Sequence, residues 1–197
     1  ILIAPILSKL GITTDVLQDK QQHISGILFE QLIKTLLEHS NDRFFGLHSS
    51  RFVRPDSYSV LGAISMNCRT FADALAKIQP FEQLVGDMGV TRINPGKHTT
   101  QVQWICQYHD PQVIPQMVDN CLSSWLAFTR QLIGQQHSPQ QVLLQRPSVS
   151  LSDQLHYQQM FNCPVLFNQS IDALVIKNEL FNTPVNQANP LLLATLE

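Results

Sequence analysis

The sequence predicts an α+β fold, in which N-terminal helices pack on an antiparallel β-sheet that a long helix clasps. Three observations predict it. Apolar residues recur at helical spacing from Ile24 to Leu84. The period then shifts to two on either side of Pro95-Gly96-Lys97, as in a hairpin whose short loop contains glycine. After Asp110-Pro111 the helical period returns and holds to about Ile133, which gives the longest helix. A chain of 197 residues can bury a core of its own without disulfide or metal staples, so a single domain over 1–197 is expected.

The opening segment, to about Leu17, reads as a short helix ended near Gly11 and a turn at Thr13-Thr14-Asp15. From Ser25 to His39 the spacing predicts an amphipathic helix. Ile24, Ile27, Leu28, Leu32 and Leu36, with Ile33 and Leu37 beside them, form its broad apolar stripe. Ser40-Asn41-Asp42 ends it and caps a further helical piece from Phe44 to about Phe52. Ser59 to Asp87 then reads as two helices joined by a capped turn. Leu61, Ile64 and Ser65 share one side of the first helix, and Cys68-Arg69 interrupts the run. Thr70 is an N-cap, and Asp73 completes a capping box in which the shorter carboxylate replaces the usual Glu. Phe71, Leu75, Ile78 and Leu84 continue the apolar spacing while Ala72, Ala74 and Ala76 keep the helix slim. Pro80 should kink or end it, because proline lacks the donor N–H and crowds the preceding turn.

The hairpin strands run from Met88 to Asn94 and from Thr99 to Tyr108. In the second, Val102, Trp104, Cys106 and Tyr108 share one face, and Gln101, Gln103 and Gln107 share the other with Ile105. One face should be buried and the other largely wet. Val113, Met117, Cys121, Ser124, Trp125, Phe128 and Leu132 make the inner stripe of the long helix, which Gly134 ends. A loop at Gln135 to Gln140 leads to a strand at Val142 to Leu144, then a helix from Asp153 to Phe161. Asn162 to Phe167 reads as a turn and strand, with Ala173 to Ile176 as the expected partner of that strand. Pro190 to Glu197 opens another helix, expected to lead into further protein, and the chain begins without Met.

Composition narrows the function classes. A net charge of −2 and a pI near 6.4 supply no electrostatic grip on nucleic acid within these residues. Arg43, Arg51 and Arg54 form a small basic cluster, read as a solvated helix face. Cys68, Cys106, Cys121 and Cys163 are widely spaced and form no C-x-x-C pair, which fits reduced thiols in a cytoplasmic setting. The apolar opening ILIAPIL is too short for a membrane span and lacks the basic region of a secretory signal.

Motifs for chemistry are sparse. The chain has no G-x-S-x-G elbow, P-loop or G-x-G-x-x-G turn. Its histidines, His23, His39, His48, His98, His109, His137 and His156, nowhere take metal-ligand spacing, so neither metal nor cofactor is expected. Cys163 and His156 are the pairing a nucleophilic enzyme would need. Cys163 precedes Pro164 in a tight turn, however, where any small apolar residue would serve, and no catalytic residue is expected. Trp104 and Tyr108 project from the strand towards Cys121, Ser124, Trp125 and Phe128 of the long helix. They either fill the core or line an apolar pocket in which Cys121 and Ser124 are the polar points.

The run from Leu61-Gly62 through Cys68, Thr70-Phe71 and Asp73-Ala74-Leu75 resembles the middle signature of the "arabinose-binding" sensing domain of AraC/XylS-type transcription regulators. Asn41-Asp42-Arg43-Phe44-Phe45-Gly46-Leu47 is similar, in register, to that family's Gly-Asp-Pro-x-x-Gly-Leu. Tyr157, Phe161, Asn162, Cys163, Pro164, Val165 and Phe167 resemble its Tyr-x-x-x-Phe-Gly-x-Pro-Val-x-Phe, and Leu180 and Pro184 fall where it carries Leu and Pro. The resemblance runs through nearly the whole chain. It implies a bacterial regulatory domain that binds a small-molecule effector, with homodimerisation open and no membrane role. DNA would be contacted only through C-terminal helix-turn-helix units absent from these residues. Effector binding would shift the population of two arrangements. Pro80-Phe81 stands where the family commonly has Arg-Tyr, and Arg146-Pro147 where it often has His-Pro. Those departures imply a different ligand, with Arg69, Arg130 or Arg146 as substitute cations for an anionic effector. The rival readings are a small cytoplasmic Cys/His-dependent hydrolase and a ligand-free dimerisation domain.

Overall fold

The computed structural model describes residues 3–17 and 23–196. Helix α1 (Ile3–Lys9) and a 3-10 turn at Thr14–Leu17 precede α2 (Gly26–Ser40). The Ser25 hydroxyl accepts from the Leu28 N–H at 3.2 Å, and α2 ends at Asn41 in the left-handed region. The apolar stripe of α2 is divided between two cores. Leu28, Leu32 and Leu36 meet Ile6, Leu7 and Ile12 in a satellite cluster, while Phe29 and Ile33 reach the main core. Ile27, expected in the stripe, is 74% exposed.

Helix α3 (Phe45–Ser49) and α4 (Ser59–Asn67) each carry a glycine where another backbone comes into contact. A Cβ on Gly46 would stand 1.9 Å from the Gln116 carbonyl oxygen, and one on Gly62 would stand 1.8 Å from that of Pro55. The glycines of two sequence motifs are thus demanded by close backbone packing. Before α5 (Phe71–Ala76), the Thr70 hydroxyl accepts from the Asp73 N–H at 3.2 Å and Asp73 accepts from the Thr70 N–H at 3.1 Å. The shorter carboxylate therefore closes the capping box. Helix α5 stops at Ala76, the residue whose carbonyl would have needed an N–H from Pro80. The chain restarts as α6 (Ile78–Phe81) and a 3-10 turn at Glu82–Leu84.

Strands β1 (Gly89–Pro95), β2 (Thr99–Cys106), β3 (Gln141–Leu143), β4 (Val165–Leu166) and β5 (Ala173–Lys177) form one sheet in the order β1-β2-β5-β3-β4. The pairing expected between 165–167 and 173–176 does not form. Strand β5 lies between β2 and β3, antiparallel to both, and β4 pairs with β3 in parallel at the far edge. The reason is visible in burial: Ala173, Leu174, Val175 and Ile176 are all buried, so both faces of β5 are covered, as befits an interior strand. At the opposite edge, the backbone of Thr91 in β1 is covered by side chains. Glu82 accepts from its N–H at 2.9 Å, and Gln79 donates to its carbonyl at 3.3 Å.

Helix α7 (Val113–Ile133) lies against the sheet and buries two adjacent faces. One holds Val113, Met117, Ser124 and Leu132 from the expected stripe, and the other holds Val118, Asp119, Leu122, Ser123 and Leu126. Helix α8 (Leu151–Phe161) follows β3, and α9 (Pro190–Leu196) packs on α4.

A polar chain ties α3 to α8. Asp42 accepts from the Phe44 N–H at 2.9 Å, His48 Nδ1 meets Asp42 at 2.8 Å, and His48 Nε2 meets His156 Nε2 at 2.9 Å. Burial pushes the Asp42 carboxyl up, but the His48 ring and the Phe44 N–H outweigh it and hold it below its ordinary value. A folded-state value below the unfolded one means that Asp42 adds stability above about pH 4. That contribution disappears as pH falls through the lower folded value. In urea melts from neutral pH into strong acid, Asp42→Asn will therefore lose less stability than the parent below about pH 4. Parallel acid limbs for the two proteins would refute the coupling.

Candidate functional site

A cavity of about 390 Å³ lies between the sheet, α7 and the α4–α6 segment. Small-molecule sites typically measure roughly 300–1,000 Å³. Its floor is formed by Val102 and Trp104 of β2 and by Leu174 and Ile176 of β5. The face of α7 supplies Met117, Cys121, Ser124, Trp125 and Phe128, and α4 and α5 add Leu61, Ser65, Phe71 and Leu75. Trp104 sits opposite Thr91 in the hairpin register, and Gly89 leaves space for its ring. A Cβ on Gly89 would fall 2.3 Å from indole Cε2.

Of the residues expected to face one another, Trp104, Cys121, Ser124, Trp125 and Phe128 come together around this cavity. Tyr108 does not. Strand β2 stops at Cys106, so the alternation ends before Tyr108, whose ring lies 6.1 Å from that of Phe29 under α2. Burial pushes its hydroxyl up to about 12. The residue that sequence reasoning missed is Tyr58, which precedes α4. Its ring lies 4.9 Å from Phe128, and its hydroxyl is raised by burial, with Cys121 adding to the effect. Tyr58 Oη and Ser124 Oγ are buried with no hydrogen bond of ordinary geometry, but they stand near enough to each other for Ser124 to draw the Tyr58 hydroxyl partly back down. A neighbouring pair of buried hydroxyls in an apolar chamber can orient a ligand.

Charge on the cavity wall is confined to Glu82 among the described residues. None of the arginines expected to offer a cation reaches it. Arg146 is committed to a buried cluster, where it donates to Tyr157 Oη at 2.7 Å, to Asp119 Oδ2 at 3.0 Å and to the Pro115 carbonyl at 3.2 Å. It also donates to Asp119 Oδ1, and Tyr157 donates to Asp119 Oδ2 at 2.7 Å. Burial pushes the Asp119 carboxyl up, and Arg146 pulls against it. Arg130 bonds the carbonyls of His137 and Phe161 and the Ser138 hydroxyl, and Arg69 is exposed away from the wall. Each cation is spent on structure or stands elsewhere.

The Cys163–His156 pairing is not formed either. His156 bonds His48 and stacks on Phe44 with ring centroids 4.3 Å apart. Burial raises the Cys163 thiol to about 11, Arg130 only partly offsetting it, so little nucleophilic thiolate is available. Among the described residues no group of three or more His, Cys, Asp or Glu could hold a metal ion.

Residues 2–185 match the family described as the arabinose-binding domain at the N terminus of AraC transcription regulators. The chain belongs to that family. The matched span contains every residue of the cavity wall. The fold of this AraC-type domain is similar to the crystal structure of the transcriptional regulator CdpR from Pseudomonas aeruginosa, with a TM-score of 0.73 at 16% identity. The likeness covers 98% of this chain but 59% of that one, so this domain spans well under two thirds of the regulator's length. No curated protein sequence matches the chain. Family and structural neighbour are both described as transcription regulators rather than as enzymes.

Proposed function

We propose that this chain is the effector-sensing and dimerisation module of a bacterial AraC/XylS-type regulator, binding a small metabolite in the cavity between sheet, α4–α6 and α7. DNA is read by C-terminal helix-turn-helix units outside these 197 residues. The regulator works in the cytoplasm. No helix among the described residues is long and apolar enough to cross a membrane, and the four cysteines are free thiols.

The observation that carries this reading is the cavity itself. It is a concave, mostly apolar site of about 390 Å³, walled in part by Trp104, Trp125 and Phe128, and that is the size and character small ligands favour. The effector acts by binding one arrangement of the domain better than another, and its differential affinity sets how far the DNA-binding part is shifted.

Thermal-shift screening against a metabolite panel tests the reading. A ligand at a hundred times its dissociation constant will stabilise the domain by about 2.7 kcal/mol. Trp125→Ala, which strips one wall of the cavity, will abolish that shift while the protein stays folded. A full ligand response in folded Trp125→Ala would remove the cavity from consideration, and a panel that never raises the melting temperature would remove the sensing function.

A further inference from the structure

We infer that the cavity takes an organic amine, a compact apolar body bearing one protonated amino group that pairs with Glu82. The inference rests on the sensing role proposed above and specifies the chemistry of its ligand.

Glu82 stands in the 3-10 turn after α6, at the edge of the cavity beside β1. Its Oε2 is held by the Thr91 N–H at 2.9 Å, which fixes the side chain, and Oε1 has no partner among the described residues. Its negative charge contributes to raising the Cys121 thiol, after the larger effects of burial and of Cys106. No Lys, Arg or His lines the wall among the described residues to neutralise it.

An acidic effector would bring a second negative charge into an apolar chamber that offers no cation, an arrangement that strongly disfavours binding. An ammonium meets the opposite conditions. It can donate to Glu82 Oε1 in a charge-assisted hydrogen bond, and the faces of Trp104, Trp125 and Phe128 attract a cation through their ring quadrupoles. Tyr58 and Ser124 add a neighbouring pair of buried hydroxyls for a polar atom on the ligand body. Their hydroxyl groups can donate or accept, so the body is free to be an ether, ketone or alcohol.

Two matched probe series test this by calorimetry on the 197-residue chain. Tryptamine, tryptophol and indole-3-acetate share an indole body, and hexylamine, hexanol and hexanoate share an alkyl one. In at least one series the amine will bind about tenfold or more tightly than the alcohol, and the acid most weakly. Glu82→Gln keeps an oxygen for the Thr91 N–H, so the cap on β1 survives while the charge is lost. It will bring the amine down to about the alcohol's affinity, while the alcohol, which makes only a single-donor bond to either side chain, weakens far less. An acid that binds as well as its amine overturns the inference, as does an amine preference that persists in Glu82→Gln. Failure of both amines to bind also overturns it. Any of those outcomes leaves the sensing role standing if the metabolite panel still yields a shift that Trp125→Ala abolishes.

Discussion

Replacing Asp119 with Ala will destabilise the protein by about 3–5 kcal/mol, because it strands the Arg146 guanidinium without its counter-charge. The Asp119 side chain has no exposed surface and that of Arg146 keeps only 15%, so water cannot substitute for the lost partner. Tyr157 would lose its acceptor in the same step. The gain from the intact pair is a separate matter, since bringing both charges out of water costs nearly what their attraction returns. Replacing the whole cluster with apolar groups, Asp119→Leu with Arg146→Met and Tyr157→Phe, will therefore recover most of the stability lost in Asp119→Ala. Urea denaturation of the three proteins checks this. A loss below about 1 kcal/mol in Asp119→Ala would match an exposed ion pair instead.

Gly46→Ala will cost about 3 kcal/mol, at the upper end for a single added methyl group in a packed core. The new Cβ would meet the carbonyl oxygen, carbonyl carbon and Cα of Gln116 at 1.9, 2.7 and 2.9 Å. All three are backbone atoms of α7, so no rotamer change relieves the clash and α3 must lift away. The lift also breaks the hydrogen bond from the Gly46 N–H to the Gln116 side chain, 2.8 Å, and that from Gln116 to the Arg43 carbonyl, 2.9 Å. A denaturation midpoint unchanged in Gly46→Ala would show that the two helices do not touch there.

Local rules made most of this fold readable. The Thr70–Asp73 box, the helix stop before Pro80, the hairpin around Gly96 and the extent of α7 each depend on neighbours a few residues apart. Long-range pairing did not yield so easily. The all-apolar run Ala173–Ile176 signals an interior strand, but nothing in it says which strands flank it. The pocket was legible to the extent that alternation in β2 and spacing in α7 aim Trp104, Cys121, Ser124, Trp125 and Phe128 at one another. Tyr108 was misplaced because strand geometry ends at Cys106. Tyr58 and Glu82 reach the wall from short turns that no periodicity marks. Asp119 offered a signal, an acidic residue amid the apolar positions Val118, Leu122 and Leu126, yet its partners lie in distant segments.

The place of β5 in the sheet has a consequence for how the molecule comes into being. The middle strand is the last of the five to leave the ribosome, and it joins the early β1–β2 hairpin to the later β3–β4 pair. Until Lys177 has been made, β2 and β3 each present an unpaired edge, the exposure that invites chains to associate wrongly. Folding must then close loops running from 106 to 173, which is slow for entropic reasons. Nascent chains halted before Ala173 are the ones most in need of a chaperone.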